Sequence, residues 1–371
     1  MEFCVPTNWQ EGLVDNLISV NTTGEIKEVY GKIFEDVIEY EAASCGLESI
    51  DRKEAQQHIK DLSSHGFNFN YLLDDICMDN LEFTRKGQTK IRNTLEWLIR
   101  AGVSSVTIAN PYLMMWIKKN YSFLPVYVSA SVNVDSLNRA KFWEGLGADK
   151  ITFPGPVVNR NFKVINFLRK SLTCKIQLLG NSACRQDCPS YINHALDVVH
   201  SFRRTGKFNG HIFDYYATIC WIKRLENPIN FIRSDWIRPE DVYFYENLGV
   251  DGIQLVDINI ADDRFMQIAG AYIGRCHKGN LIYLFPGFDD KIFIRNHREP
   301  GAVEPRVRDG VFINNQDLSS FLKELPAECD LNLCVNCGYC LTMAQQVVRI
   351  DQDYLQKTLE LYKKNIDALF Q

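Results

Sequence analysis

A short β-rich run followed by an amphipathic helical stretch recurs along the middle of this chain, and the recurrence limits the folds open to it. Three helical stretches end in "AGVSS", "LGADK" and "LGVDG", where a glycine precedes an apolar run. Glycine at a helix carboxyl cap, followed by a buried strand, is typical of the αβ loops of parallel sheets. The repeat therefore favours a barrel or a doubly wound open sheet over an all-helical or all-β fold.

Eight runs carry this strand pattern. They cover residues 26–31, 67–73, 104–110, 125–130, 149–154, 175–181, 228–234 and 251–257. Helical patterns lie between most of them; in "TKIRNTLEWLIRAG", Ile91, Leu95 and Leu98 fall on one face. Eight strands with helical connections predict an α/β fold, a (β/α)8 TIM-like barrel. The doubly wound sheet is the structural alternative.

The pattern changes after residue 285, where the chain becomes rich in proline, glycine and charge. We predict a barrel domain over residues 1–285, followed over 286–371 by an extended connection, a cysteine-rich segment and a C-terminal helix. Apolar residues of that helix recur near helical spacing, at Leu355, Leu359, Tyr362, Ile366 and Leu369. This spacing favours a helix docked on the body, with a partner-binding helix as the alternative.

The overall composition is that of a folded globular protein. The chain has 371 residues, 46% of them hydrophobic and 23% charged, and a net charge of −5. That charge provides no global attraction to nucleic acid. The N-terminal stretch lacks the apolar core of a secretory signal, and no run is long enough to span a membrane. We therefore expect a cytoplasmic protein, whose 12 cysteines are not a disulfide framework.

The most closely spaced cysteines lie in "CDLNLCVNCGYC", residues 329–340. The spacing is C-x4-C-x2-C-x2-C, through Cys329, Cys334, Cys337 and Cys340. Thiolates at such intervals can surround one metal centre. Three cysteines at intervals of three resemble ferredoxin-type runs, whereas structural zinc sites generally use two separated C-x2-C pairs. An iron–sulfur cluster, a zinc ion and no metal at all stay open at this point.

A second cysteine set is looser in sequence. Cys184 and Cys188 lie in "GNSACRQDCPSYINH", after a predicted strand, and Cys220 follows in "YYATIC". Cys77 lies just beyond another predicted strand. In a barrel the loops after different strands meet at one mouth, so these four thiols can converge there. Alternatively, Cys77 and Cys220 are core residues, since buried free cysteines behave as small hydrophobes.

Three further residues are candidates for catalysis. His194 follows the cysteine loop and can act as a ligand or proton donor, or be an ordinary helix histidine. Arg238, in "WIRPED", can bind a carboxylate or phosphate, although Pro239 there also suits the first turn of a helix. Tyr71 lies near a strand end and either lines the pocket or packs in the core. No Ser–His–Asp order, P-loop, Rossmann glycine pattern or H-E-x-x-H motif is present in the sequence.

The order of several motifs resembles the peptidase U32 (collagenase-like) family, especially its short members. The matching stretches lie within residues 26–285, with the cysteine run added at the end: "EVYGKI", "GFNFNYLLDDICMDNLEFT", "AGVSSVTIANPYL", "LPVYVSASVNV", "LGADKITFPG", "LLGNSACRQDCPSYINH", "SDWIRPEDVYFYENLGVDGIQLVD", "GNLIYLF" and "CDLNLCVNCGYC". The resemblance implies a barrel with one or two iron–sulfur clusters of the 4Fe–4S type. It assigns Cys77, Cys184, Cys188 and Cys220 as ligands of a cluster near the mouth.

Some relatives in this family are similar to dioxygen-independent hydroxylation proteins. The first hypothesis is therefore an iron–sulfur protein that catalyses or assists redox modification of a small molecule, peptide or RNA base. An electron donor and a partner barrel of the same family are its implied partners. The second hypothesis is a metal-dependent peptidase of the U32 type, although the long collagenase-like signature is not visible in "GNSACRQDCPSY". The third is a non-catalytic, cluster-bearing partner subunit.

Overall fold

A computed structural model describes residues 1–33, 50–201, 214–255, 262–285, 306–325, 329 and 337–370. Eight parallel strands close into a barrel in chain order, with the first strand hydrogen-bonded to both the second and the eighth. They are β1 Glu2–Pro6, β2 Ile26–Gly31, β3 Asn68–Leu73, β4 Ser105–Ile108, β5 Val126–Val128, β6 Lys150–Phe153, β7 Lys175–Leu179 and β8 Gly252–Gln254. The predicted TIM-like (β/α)8 fold is confirmed.

Helices surround this barrel and continue beyond it. Those within and between the βα units are α1 Leu13–Val20, α2 Arg52–Ser64, α3 Arg85–Ala101, α4 Pro111–Asn120, α5 Leu137–Gly145, α6 Gly155–Val158, α7 Phe162–Ser171, α8 Tyr191–Ser201, α9 Tyr215–Glu226, α10 Ile229–Ile232, α11 Val242–Asn247 and α12 Asp262–Ile273. Three more follow, α13 Val307–Gly310, α14 Tyr339–Val347 and α15 Gln352–Asp367. Among the described residues, no helix is both long and apolar enough to cross a bilayer.

Local sequence signals set several of these helix ends. Asp51 accepts hydrogen bonds from the amides of Lys53 and Glu54, and the Glu54 carboxylate accepts from the Asp51 amide, forming a capping box at the start of α2. At the carboxyl end of α3, Gly102 has φ +88°. A side chain is strained at that φ, so the glycine predicted to end this helix is the residue that the turn requires.

One predicted strand is wrong. Residues 228–234 contain the short helix α10, whereas the eighth barrel strand is β1 at the N-terminus. A short apolar run cannot be assigned to strand or buried helix by periodicity alone. Here Pro228 occupies the helix N-cap and begins the turn. Both faces of the run are buried, through Phe231 and Ile232 among others, which is why its composition resembles that of a buried strand.

The barrel interior is polar at its centre. Glu28 of β2 accepts a hydrogen bond from Lys150 Nζ of β6 at 2.8 Å and one from Cys4 Sγ of β1 at 3.0 Å. Strands β2 and β6 lie on opposite sides of the ring, so these side chains meet across the interior. All three are buried, and the Lys150 ammonium also lies 4.0 Å from the centre of the Tyr127 ring. The buried charges are therefore paired, as a low-dielectric interior requires.

The described part of the C-terminal segment packs on the barrel. Strands β9 Val311–Ile313 and β10 Val348–Ile350 form an antiparallel pair, and α15 packs against α9. Phe321 lies next to Trp236 and stacks on Tyr339, so the segment shares the hydrophobic core of the barrel. The predicted docked C-terminal helix is confirmed. Most of the predicted extended connection, 286–305, lies outside the described residues, and the domain division at residue 285 stays a prediction.

Candidate functional site at the carboxyl end of the barrel

Cys184 is held at the carboxyl end of the barrel by a backbone pairing. The chain leaving β7 runs alongside the segment that enters "DWIRPED". The Asp235 amide donates to the Cys184 carbonyl at 3.0 Å, and the Gln186 amide donates to the Arg233 carbonyl at 2.9 Å. Loop residues that bind or react are commonly found at this end of a (β/α)8 barrel. The first cysteine of the loop therefore has a fixed backbone position beside Asp235.

Arg224 ties a helix to this loop. Its side chain is buried, and it donates from Nη1 to Cys220 Sγ, one helical turn earlier on α9. From Nη2 it donates to the Ala183 carbonyl and, at 3.3 Å, to Ser234 Oγ. One guanidinium thus contacts the helix that carries Cys220, the loop that carries Cys184 and the segment beside them. Its planar fork of donors suits such multiple contacts.

Three thiols are electrostatic neighbours here, those of Cys184, Cys188 and Cys220, and we call them the thiol site. Burial is the largest cause that raises the pKa of Cys184, followed by the Asp235 carboxylate and the other two thiols. Burial likewise raises the pKa of Cys188. Among the described residues, no group of three or more His, Cys, Asp or Glu side chains is arranged to hold a metal ion. The three thiols are therefore neighbours, but in this structure they are not arranged as the ligands of one metal ion.

Asp235 is the buried carboxylate of this region. Burial raises its pKa to about 6, although a hydrogen bond from Ser182 and the charges of Arg160 and Arg224 act in the opposite direction. Its Oδ1 atom has no hydrogen-bond partner within the described part of the chain. A Cβ atom built on Gly155 would lie 2.2 Å from Asp235 Oδ2. Glycine is therefore the residue that lets α6 approach the carboxylate.

Arg160 connects this region with the C-terminal segment. Its guanidinium lies 4.2 Å from the centre of the Trp236 ring and 5.1 Å from that of Phe321, and it donates to the Ile232 carbonyl. Burial lowers its pKa, while the nearby Cys340 has the opposite effect. Helix α14, which carries Cys340, packs against α10. Arg160 therefore lies near both Cys340 of the C-terminal segment and the Asp235 carboxylate beside the barrel loop.

Two other side chains lie close to the thiol site. His194, on α8, has Nε2 3.1 Å from Asp214 Oδ2, and Asp214 is the N-cap of the helix that carries Cys220. This contact connects two helices and matches the interpretation of His194 as a satisfied helix histidine. Tyr191, at the start of α8, donates to the Ala130 carbonyl at 3.3 Å. Burial is the largest cause that raises the pKa of Tyr191, with contributions from Cys184 and Asp235.

Two predicted catalytic residues, Tyr71 and Arg238, are buried in the structure. Tyr71 is fully buried, meets Trp97 of α3 edge to face at 5.9 Å, and accepts a hydrogen bond from the Ile33 amide. On alternating β3 it faces the helical layer, whereas its neighbour Asn70 bonds to Ser105 on the other face of the strand. These contacts match the alternative in which Tyr71 packs in the core, and its catalytic role stays a prediction.

Arg238 is also buried, at 1% exposure. Nε and Nη2 each donate to the Asp241 carboxylate at 2.7 Å, and Nη1 donates to the Asn315 carbonyl at 3.0 Å. All three donor groups are thus directed to protein atoms. Pro239 begins a short 3₁₀ helix, as the alternative interpretation required. These contacts make Arg238 a buried connection between the barrel and the C-terminal segment, and its substrate-binding role stays a prediction.

The remaining predicted ligands are distributed as follows. Cys77 Sγ lies 3.6 Å from Asp79 Oδ1 beyond the end of β3, and its role as a fourth ligand stays a prediction. In the C-terminal run, Cys337 is exposed, whereas Cys329 and Cys340 are half-buried. Cys334 lies outside the described residues. The assignment of this run to a metal therefore stays a prediction too.

Sequence reasoning missed the residues that organise the site, namely Arg160, Ser182, Tyr191, Arg224 and Asp235. Arg224 had a usable signal, since it follows Cys220 by one helical turn. Asp235 directly precedes the "WIRPED" stretch, and its only signal in the sequence is that position. Arg160 had no local signal, because its aromatic neighbours come from distant parts of the chain.

Comparison with known proteins gives one sequence relative and several distant structures. No family model matches the chain. A protein from Methanocaldococcus jannaschii, named an uncharacterized protease, is 27% identical over 289 residues, covering 77% of this chain and 79% of its own.

Solved structures with a similar backbone fold include that of a U32 peptidase. It has 18% identity and a TM-score of 0.49, and the match covers 69% of this chain and 93% of the peptidase chain. A chitinase from Rhizomucor miehei has 10% identity and a TM-score of 0.40, covering 74% of this chain and all of its own. At these values neither solved structure bears on activity. The chain is thus similar over most of its length to a protein named as a protease, in agreement with its resemblance to the peptidase U32 family.

Proposed function

We propose that the protein is a metal-dependent enzyme of the peptidase U32 type that acts on a peptide at the carboxyl end of its barrel. The observation that carries this proposal is the match, over 77% of the chain, to a protein named as a protease. The thiol site and Asp235 lie where (β/α)8 enzymes generally carry their chemistry. The named relative favours hydrolysis over the redox alternative.

The chemistry of the donors is compatible with a metal centre. Thiolates select zinc and iron–sulfur clusters among biological metals, and Cys184, Cys188 and Cys220 would be the ligands. When bound, a metal ion supplies Lewis acidity or an activated water. Metal binding requires thiolates, and burial raises the pKa of Cys184 and Cys188, so binding would release their protons.

The surrounding residues position that donor set. Arg224 holds Cys220 against the loop, while Asp235 fixes the Ser182 hydroxyl beside it. Side chains that are fixed by burial and hydrogen bonds give a site the rigidity that catalysis needs. In this proposal Arg224 and Asp235 are positioning residues.

A second candidate function is redox modification by an iron–sulfur protein. The observation in its favour is a chain of neighbours, in which Cys340 lies near Arg160, Arg160 near Asp235, and Asp235 near Cys184. In this case Cys77, Cys184, Cys188 and Cys220 would hold one 4Fe–4S cluster. Cys329, Cys334, Cys337 and Cys340 would hold a second cluster or a zinc ion.

Metal analysis of protein purified without oxygen tests both candidates. Iron, sulfide and zinc per chain are measured for the wild type and for two pairs of variants, C184A/C188A and C337A/C340A. Visible absorption and EPR spectra are recorded before and after reduction, and cleavage of a peptide library is assayed in parallel. C276A is the matched control, since Cys276 is an exposed thiol outside both sets.

The outcomes separate the candidates. Peptide cleavage that is lost with the metal in C184A/C188A, and kept in C276A, supports the peptidase. About eight irons per chain, lost in two independent halves by the two pairs of variants, would support the redox protein. Protein without any thiol-dependent metal would contradict both.

A further inference from the structure

A cavity of about 510 Å³ lies away from the thiol site, between the loop that follows β1 and helix α2. Its volume falls within the range of small-molecule sites. Residues 8–12 of this loop leave the carboxyl end of β1, so the cavity is beside the rim of the barrel mouth. Six lining residues matter for its chemistry: Trp9, Glu11, Glu54, Gln57, His58 and Asp61.

Trp9 forms a rigid aromatic wall of the cavity. Its amide donates to Thr7 Oγ1 at 3.0 Å, and its indole Nε1 donates to the Lys32 carbonyl at 3.2 Å. The indole lies 5.5 Å from the Phe69 ring and 5.3 Å from the His58 ring, centre to centre. With both polar and apolar contacts on the protein side, the ring can present a fixed π surface to a ligand.

The charge of the cavity is negative. Among the described residues that line it there is no lysine or arginine, but there are three carboxylates, those of Glu11, Glu54 and Asp61. Nearby cations are directed elsewhere. The Arg52 guanidinium lies 5.0 Å from the centre of the Trp97 ring, and Lys32 Nζ is 3.1 Å from Asp75 Oδ1. The described lining therefore brings no lysine or arginine to the three carboxylates, and the Asp61 carboxylate has an imidazole neighbour, His65 Nδ1 at 3.6 Å.

His58 adds a polar group without a positive charge. One ring nitrogen, Nε2, lies 2.9 Å from Thr7 Oγ1, which fixes the ring beside Trp9. Burial lowers the pKa of His58 to about 4, so the imidazole is neutral near pH 7. A neutral imidazole does not repel a cation that enters the cavity.

We propose that this cavity binds a small organic cation, a primary ammonium or a guanidinium, with its alkyl chain on Trp9 and its charge towards Glu54 and Asp61. The aromatic face offers apolar contact to the alkyl chain, and the carboxylates attract the positive charge by Coulomb interaction. The cation comes either from a free amine or from a basic side chain of a peptide. The inference stands apart from the proposed function, because no residue of the thiol site is among the described residues that line this cavity.

The direct test is a binding titration of the full-length protein. Its readout is the NMR signal of each tryptophan indole Nε1–H group. The probes are n-butylammonium, its neutral isostere 1-butanol, and acetylated, amidated lysine and norleucine as models of peptide side chains. Saturable binding of the cationic member of each pair, with the Trp9 signal shifted, is expected. Tighter binding of the lysine compound would identify a peptide side chain as the source, and tighter binding of n-butylammonium a free amine.

A charge variant provides the second test. E54Q/D61N removes two carboxylates but keeps a hydrogen-bond acceptor for the Asp51 amide, so the capping box of α2 is retained. Affinity for n-butylammonium should fall about tenfold. E360Q on α15 is the control, because Glu360 is an exposed acid elsewhere, and it should bind as the wild type does. Equal affinity for the neutral isosteres, unchanged binding in E54Q/D61N, or no saturable binding would each overturn the proposal.

Discussion

Arg238 and Glu28 show what single residues contribute to this barrel. Each is a charged side chain in a buried position, and each has partners from distant parts of the chain. Arg238 is held by Asp241 and by Asn315 of the C-terminal segment, while Glu28 is held by Lys150 across the barrel. Removing one partner of such a pair leaves an uncompensated buried charge, which costs about 3–5 kcal/mol.

Glu144 gives a prediction at this scale. Burial opposes its charged form, but Lys141, the Cys174 and Thr173 amides and the Thr173 hydroxyl together lower the pKa of Glu144 to about 2. Because the folded-state pKa lies below the unfolded value, the stabilisation is fully present above about pH 4.5 and is lost as the pH falls towards 2. We expect E144Q to lower the free energy of unfolding by about 1–2 kcal/mol at pH 7.

Urea unfolding between pH 7 and pH 3 measures this effect. The difference between the wild type and E144Q should shrink on acidification, since protonation removes the charge that the variant lacks. E360Q, which changes an exposed acid on α15, controls for net charge. A difference that does not change with pH would contradict the assignment.

At the scale of elements, hydrogen bonding and packing decide between structures that look alike in sequence. Residues 228–234 have the composition of a buried strand but contain α10, because the position beside β7 is taken by β8. The N-terminal run "EFCVP" becomes β1, because pairing with β2 and β8 closes the ring. Neither outcome is encoded within the run itself.

Gly310 provides a prediction about how elements pack. A Cβ atom built there would lie 1.9 Å from Tyr354 Cγ, so α13 and α15 approach each other only because this residue is glycine. We expect G310A to lower the free energy of unfolding by about 1–3 kcal/mol through overpacking.

Chemical denaturation of G310A alongside G145A checks this expectation. Gly145 lies at the end of α5, and a Cβ atom built there meets nothing within 4 Å. G145A should therefore be neutral or slightly stabilising, since alanine favours the helix by about 0.5–1 kcal/mol over glycine. Equal stability of the two variants would show that α13 and α15 are not tightly packed.

At the scale of the whole molecule, the C-terminal segment completes the core of the barrel. Trp236 stacks on Phe285 and contacts Phe321, and Ile313 is bonded through its amide to Asn280. Several apolar residues of the C-terminal segment are buried with the barrel core, including Val307, Val311, Ile313, Leu318 and Phe321. The barrel and the described part of the segment therefore stabilise each other.

Truncation tests this interdependence. A chain ending at residue 305 would expose buried apolar side chains that are each worth about 1.5–3 kcal/mol. It would also remove Asn315 from the buried Arg238. We expect a large fall in melting temperature or a loss of cooperative unfolding. Calorimetry measures both. A chain ending at Asp367 is the control. It lacks the last 3₁₀ turn, Ala368–Phe370, which has no buried residue, and it should melt as the full chain does. If the chain that ends at residue 305 melts as the full chain does, the barrel is an independent domain and the expectation is contradicted.

The sequence alone determined the periodic features of this protein. The β-rich runs, the glycines that end helices and the C-terminal helix follow from local geometry, and seven of the eight barrel strands were found from them. The motif order also predicted the relationship to a protein named as a protease. Local patterns carry this information because periodicity and turn chemistry act over a few residues.

Only the tertiary structure decided which chemical groups meet. It brought Cys184, Cys188 and Cys220 together around Arg224, placed Asp235 between Cys184 and Arg160 as a neighbour of both, and turned Tyr71 towards the helical layer. Burial and charge pairing between residues far apart in the chain set these positions. The direction of a side chain and the depth of a charge depend on the closed barrel, which a single run of residues does not encode.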